Sequence, residues 1–286
     1  MRKYLLSLGL AAGIGLASGP ASAVVISGID FGAIGPAHLE TTTLAEQFIN
    51  PTTTAAGTGS GMGYGYVTTV NGNNSYCTAG GGCGLFYTVD FTGGTFNATG
   101  TQITFTGTEV NLYYLNGPFL NLLSNDSPTN LGLIQAGTLY ANLVGHGDIS
   151  LLDSDGNPLA SNVVSLSNGT LLGAGLSLDG KGLLDVNLPG ANTAFAQYLD
   201  GNGIADVAGG FADIAYTESA SSQFLNPNDI SGGYAVNCDT GTAATGQWCW
   251  QGTLNTRGVT TVPEPGSMAL FGLALLGLGL FRRRRV

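Results

Sequence analysis

Histidine is the side chain most ready for acid–base work near neutral pH, and this chain has two, His38 and His146. His146 lies in Gly145-His146-Gly147-Asp148, where flanking glycines leave room for an exposed ring. A Ser-His-Asp hydrolase would recruit such a group, yet the sequence has no G-x-S-x-G elbow. HExxH, a Walker loop and a dinucleotide fingerprint are also missing. A turn histidine is therefore the expected role, and no residue is assigned as catalytic. Paired carboxylates are the second route to chemistry, since glycosidases need only two acids about 5 to 9 Å apart. The acids here fall mostly in turn-like segments, including Asp153, Asp155, Asp179 and Asp200, so turn chemistry is their first explanation.

Two acidic clusters have the alternation that calcium favours, because that ion takes six to eight oxygens from a bent loop. Asp153, Asp155 and Asn157 surround Gly156, and Asp200, Asn202 and Asp206 are spaced about Gly201 and Gly203. Neither has EF-hand spacing or its closing glutamate, and Asp-Gly between apolar strands is also a hairpin signal. No cofactor is expected; the hairpin reading is favoured for both clusters, less strongly for Asp200, Asn202 and Asp206, which are kept as weak calcium candidates. Trp248 and Trp250 flank Cys249; on a plain strand both rings would share one face, either stacking on a glycan or packing inward.

The elements that must position these groups read as strands. Residues 64–70 precede Asn71-Gly72, a hairpin pair suited to positive φ. Residues 85–91 are rich in aromatic and β-branched types, and residues 102–114 alternate in two halves. A further strand is expected over 139–152, ending in an Asp/Asn/Gly turn. Leu172, Ala174, Leu176 and Leu178 share a face; Asp179-Gly180-Lys181-Gly182 is expected to turn, and Leu184, Val186 and Leu188 to return. Another strand is expected near 211–217, followed by a loop-rich stretch over 238–250. His38–Ile49 and residues 191–199 have apolar spacing that suggests short helices, while residues 50–65 look irregular. The expected fold is mainly β, an antiparallel β-sandwich-like domain with one or two short helices, between an N-terminal signal helix and a C-terminal apolar helix.

Both ends carry targeting features. Met1-Arg2-Lys3, an apolar run to about Leu16, and small residues ending Ala21-Ser22-Ala23 form a secretory signal with a cleavage site at Ala21 and Ala23. The other end reads Pro263-Glu264-Pro265, then an uncharged segment from Met268 to Phe281, then Arg282, Arg283, Arg284 and Arg285. The arginines are a stop-transfer signal that favours the cytoplasmic side. Fourteen helical residues rise only about 21 Å against roughly 30 Å of hydrocarbon. So short a span suits a segment that is held briefly and then cut. The division expected is 1–23 signal peptide, 24–261 exported β-rich domain and 262–286 sorting signal.

Pro-Glu-Pro, a short apolar helix and a terminal arginine cluster together resemble the sorting signal of PEP-CTERM proteins. The resemblance covers residues 262–286 and implies a membrane-embedded exosortase that reads Pro263, Glu264 and Pro265 and processes the tail. It also implies a Gram-negative bacterium, often one that makes extracellular polysaccharide, with some members associated with flocculation or biofilm matrix. It implies delivery, and leaves the middle domain unassigned.

Of 18 acidic residues all but Glu264 fall in the middle segment, against only Lys181 and Arg257 of 8 basic ones, so its formal charge is −15 where the whole chain's is −10. Such a field repels nucleic acid and anionic headgroups, and leaves the membrane a partner only through the tail before processing. Cys77, Cys83, Cys238 and Cys249 all lie in the exported part, which favours disulfides. Three pairings are open and the two local ones are expected; four thiolates on zinc would need tighter gaps. The function expected is a non-catalytic cell-surface or extracellular-matrix protein, with signal peptidase and an exosortase as processing partners and extracellular polysaccharide as a candidate contact. The alternatives are a carbohydrate-active hydrolase using an acidic pair and a calcium-assisted glycan-binding module.

Overall fold

The structure is a computed structural model. It describes residues 23–32, 37–49, 57–78, 82–117, 120–147, 151–153, 155–171, 177–191, 193–206, 210–221, 226–238 and 246–258, with the backbone alone at 42–49. The leader with Ala21, the tail from residue 259 with its Pro-Glu-Pro and arginine motifs, and Leu172, Ala174 and Leu176 lie outside the described residues. Among the described residues no helix is long and apolar enough to cross a membrane.

In chain order the strands are β1 (Val25–Ile26), β2 (Ile29–Asp30), β3 (His38–Ile49), β4 (Thr58–Val70), β5 (Cys83–Phe96), β6 (Gln102–Phe105), β7 (Gly107–Asn116), β8 (Thr138–His146), β9 (Ser165–Thr170), β10 (Ser177–Val186), β11 (Ile204–Asp206), β12 (Gly210–Ala212), β13 (Ile214–Ser221) and β14 (Trp248–Gly258). Among the described residues three α-helices interrupt them: α1 (Ser127–Gln135), α2 (Ala194–Leu199) and α3 (Pro227–Gly232). The fold is mainly β and antiparallel, as the alternation of apolar residues requires.

The layered character is produced by one large sheet that curls until it meets itself. β6 and β7 are two parts of one stave, because both pair with β5 in a single register, Phe96 opposite Ile103 and Cys83 opposite Asn116. β8 and β9 likewise share a stave, β8 beside β7 and β9 beside β6. β10 then pairs with both β8 and β9 on one edge and with β13 on the other. β13–β14, β3–β4 and β4–β5 continue the wall, and β14–β3 joins its last strand to its first, completing a ring of eight staves. The described residues between β8 and β9 form an excursion from the stave those strands share, in which Leu151 and Val163 pack with Leu166.

Inward positions follow the period of two. On β5, Leu85, Tyr87 and Val89 face the main core, while Phe86 faces out beneath α1 with Tyr64, Leu122, Ile134 and Trp248. Burying each large apolar side chain contributes roughly 1.5–3 kcal/mol. Opposite this inward row β4 presents glycines: Gly61, Gly63 and Gly65 stand across from Phe91, Val89 and Tyr87. The Gly-rich stretch that looks irregular in sequence is therefore a strand from residue 58, its inner face reduced to backbone where aromatic rings need the room.

Two other expectations are corrected. His38–Ile49 is strand β3, not a helix; its Thr41-Thr42-Thr43 run suits a sheet, and pairing with β4 and β14 overrides the apolar spacing. Asp179–Gly182 does not turn. It lies within continuous β10, where a Cβ on Gly182 would come within 2.8 Å of the Tyr216 ring, so the glycine answers to close packing. Asn71 and Gly72 do form a tight turn with φ of 50° and 77°. The helix expected over 191–199 is α2, capped by Thr193 Oγ1 accepting from Ala196 N.

Candidate functional site

β8 ends at His146 beside Leu183 of β10, and two residues along β10 Asp185 reaches back to it. His146 Nδ1 lies 2.8 Å from Asp185 Oδ2. The other ring nitrogen faces Asp206 Oδ2 at 3.8 Å. Asp206 comes from the β11–β12 hairpin, which leans on the imidazole: a Cβ on Gly210 would stand 3.6 Å from the ring. His146 is mostly buried rather than exposed on a turn.

Asp213, buried between β12 and β13, braces this corner. Its Oδ2 accepts from Val186 N at 2.7 Å and its Oδ1 from Asn202 N at 2.6 Å. Asp200 follows α2 and takes a bond from Asn202 Nδ2 at 3.0 Å. Partial burial, reinforced by the nearby Asp213, pushes the Asp200 carboxyl up from its ordinary range. The calcium candidates thus belong to one corner but have distinct duties: Asp200 and Asn202 bond each other, and Asp206 turns to His146. Among the described residues no group of three or more His, Cys, Asp or Glu side chains is placed to hold a metal. In the other candidate cluster Asp153 Oδ1 accepts from Asp155 N and Asn157 N at 2.9 and 2.7 Å, which closes a turn.

His146 therefore has the orienting carboxylate of a triad, but its second nitrogen looks at another carboxylate where a nucleophile would have to stand. The corner can hold charge and a proton; among the described residues no hydroxyl or thiol is bonded to the ring.

The tryptophans do not share a face. Trp248 pairs with Gln47 and Trp250 with Glu46, a bulge at Cys249 that breaks the period of two. Trp248 packs edge-on to Tyr64, ring centres 5.5 Å apart, in the outer cluster, and Trp250 joins the main core. Each is only 3% exposed, so neither offers a ring to a sugar. Cys238 is bonded to Cys249 beside them, and Cys77 to Cys83.

One acid pair escaped sequence reasoning. Asp90 and Glu109 stand directly opposite on the outer face of β5 and β7. Burial, then Glu109, raises the Asp90 carboxyl, while Glu109 Oε1 accepts from Asn142 Nδ2 at 2.7 Å and Asn111 Nδ2 at 3.1 Å. The strand register alone brings these two acids together; their spacing in sequence carries no signal.

No curated protein and no solved structure matches the chain. Residues 261–285 match the family model of the PEP-CTERM protein-sorting motif. The chain accordingly carries an exosortase-type sorting signal and is a protein exported to the cell envelope or surface.

Proposed function

We propose that the exported barrel is a non-catalytic structural or adhesive component of the cell surface or extracellular matrix of a Gram-negative bacterium, and that it needs no cofactor. The observation that carries this reading is the sorting motif at residues 261–285, which commits the chain to the envelope. Support comes from the His146 corner, where the ring lies between two carboxylates, and from the absence of compact catalytic motifs in the sequence. Signal peptidase and an exosortase are the processing partners in this reading.

The test combines processing with phenotype. Replacing Pro263, Glu264 and Pro265 by alanine should leave the tail on the protein and deplete it from the medium or matrix, read by mass spectrometry. Deleting the gene should reduce cell aggregation and matrix retention; a wild-type score there refutes the matrix role. A second reading, a glycan hydrolase, draws on one observation, the facing Asp90 and Glu109 with Asp90 inclined to keep its proton. Release of reducing sugars by the purified protein, abolished by Asp90→Asn, would replace the matrix reading with that one.

A further inference from the structure

The only two cations between the targeting segments, Lys181 and Arg257, stand on one outward face of the sheet. Lys181 of β10 pairs with Thr217 of β13, and Thr217 pairs with Asn255 of β14, so these three form a row across the strands. Arg257 lies two residues along β14, opposite His38 of β3. Strand spacing and rise put the two cationic residues roughly 12 Å apart at their Cα atoms. Both are exposed, and among the described residues the ion pairs within 4.0 Å all belong to His146.

Two adjoining hollows, about 360 and 410 Å³, share Thr217 and Asn255. Arg257 and His38 line the first; Lys181 and Asn168 line the second. The first also has one acid, Glu40, whose carboxylate is engaged by Thr69 Oγ1 at 2.7 Å, and the second has two, Asp179 and the buried Glu218. The remaining polar lining is hydroxyl and amide, and among the described residues none of the exposed large apolar side chains is there.

A domain of formal charge −15 repels anions over most of its surface. In this trough Lys181 and Arg257 offset the carboxylates of Glu40 and Asp179, so the repulsion is reduced there. We propose that this face binds an acidic polysaccharide, with Lys181 and Arg257 each meeting a sugar carboxylate and Thr217 and Asn255 bonding hydroxyls between them. The span exceeds a single sugar ring, so the ligand is a chain. A protein partner would be expected to find apolar anchors, and the trough has none exposed. The inference rests on the matrix reading for where the ligand is met, but the binding itself is a separate property.

The test uses the protein recovered from outside the cells, immobilised and presented with polygalacturonate, uncharged dextran and poly-glutamate. Polygalacturonate should bind and weaken with salt, and dextran should not bind. Lys181→Gln and Arg257→Gln should each weaken binding about 5- to 10-fold, and the double variant more, as expected for charge contacts at a binding surface. The charge-preserving double variant K181R/R257K should bind nearly as wild type, which separates loss of charge from loss of fold. Failure of the wild type to bind polygalacturonate, equal binding of dextran, tighter binding of poly-glutamate, or unchanged binding by the double glutamine variant would each overturn the proposal. An aggregation phenotype without polygalacturonate binding would leave the matrix reading standing and remove this one.

Discussion

Ser127→Ala tests how the barrel wall is tied to its helical cover. Asp229 of α3 has no exposed surface, and its two oxygens accept from Ser127 N and Ser127 Oγ, each at 2.6 Å. The same hydroxyl lies 2.9 Å from Tyr64 Oη on β4, which receives Asn130 Nδ2 from α1, also at 2.9 Å. The Ser127 hydroxyl thus bonds both Asp229 of α3 and Tyr64 of the barrel wall. Removing it deletes a hydrogen bond to a carboxylate, worth about 1.5–3 kcal/mol, and leaves buried polar atoms short of a partner at about 1–3 kcal/mol. These costs overlap, so the net loss should be near 3 kcal/mol, by the same accounting. For a chain of this size that lowers Tm by about 6–12 °C.

The same network makes a pH prediction. Burial pushes the Asp229 carboxyl above its usual value, so the folded state favours the neutral form. Its contribution to stability is complete below about pH 4 and is lost as pH rises through the raised folded value. Asp229→Asn removes that dependence, so the variant should gain on wild type between acid and neutral pH. Urea unfolding followed by tryptophan fluorescence suits the measurement, since Trp248 packs on Tyr64. An unchanged midpoint for Ser127→Ala at pH 7, or parallel pH profiles for Asp229→Asn and wild type, would refute the reasoning.

Two glycines make a matched pair. A Cβ on Gly252 would fall 1.7 Å from Ser219 O of the neighbouring strand, so Gly252→Ala should disrupt β13–β14 pairing and lower the yield of folded protein. Gly72 has open space but a φ of 77°, so Gly72→Ala should fold and lose only about 1 kcal/mol in urea titration. Replacing Cys238 and Cys249 together by serine should cost about 2–4 kcal/mol, as expected for closing a short loop in the unfolded chain. An unaltered melting temperature for the Cys238/Cys249 double variant would show that the bridge adds nothing.

Much of the wall was legible because inward and outward residues alternate plainly. Leu85, Tyr87 and Val89 declare a buried face, and Asn71-Gly72 declares its turn. What misled was chemistry serving a second purpose. The glycines of β4 and β10 look like loop formers, yet they mark where Tyr87, Phe91 and Tyr216 need the inner face kept bare. The apolar spacing of residues 39, 44 and 48 mimics a helix only when the pairing partners on β4 and β14 are unknown. The candidate sites were harder still. His146 and Asp185 are joined by register, as are Asp90 and Glu109, and register is set by the whole ring. The shared face expected for Trp248 and Trp250 failed on one extra residue, which sequence does not announce.

Because the large sheet closes on its own first stave, each of its described strands has a hydrogen-bonded neighbour on both sides. Another chain cannot extend it by adding a strand, the route by which open sheets polymerise into fibrils. If this protein helps build a matrix, it must join as a discrete particle held through its side chains, and the resulting material should dissolve with salt or competing polymer rather than resist denaturants as amyloid does.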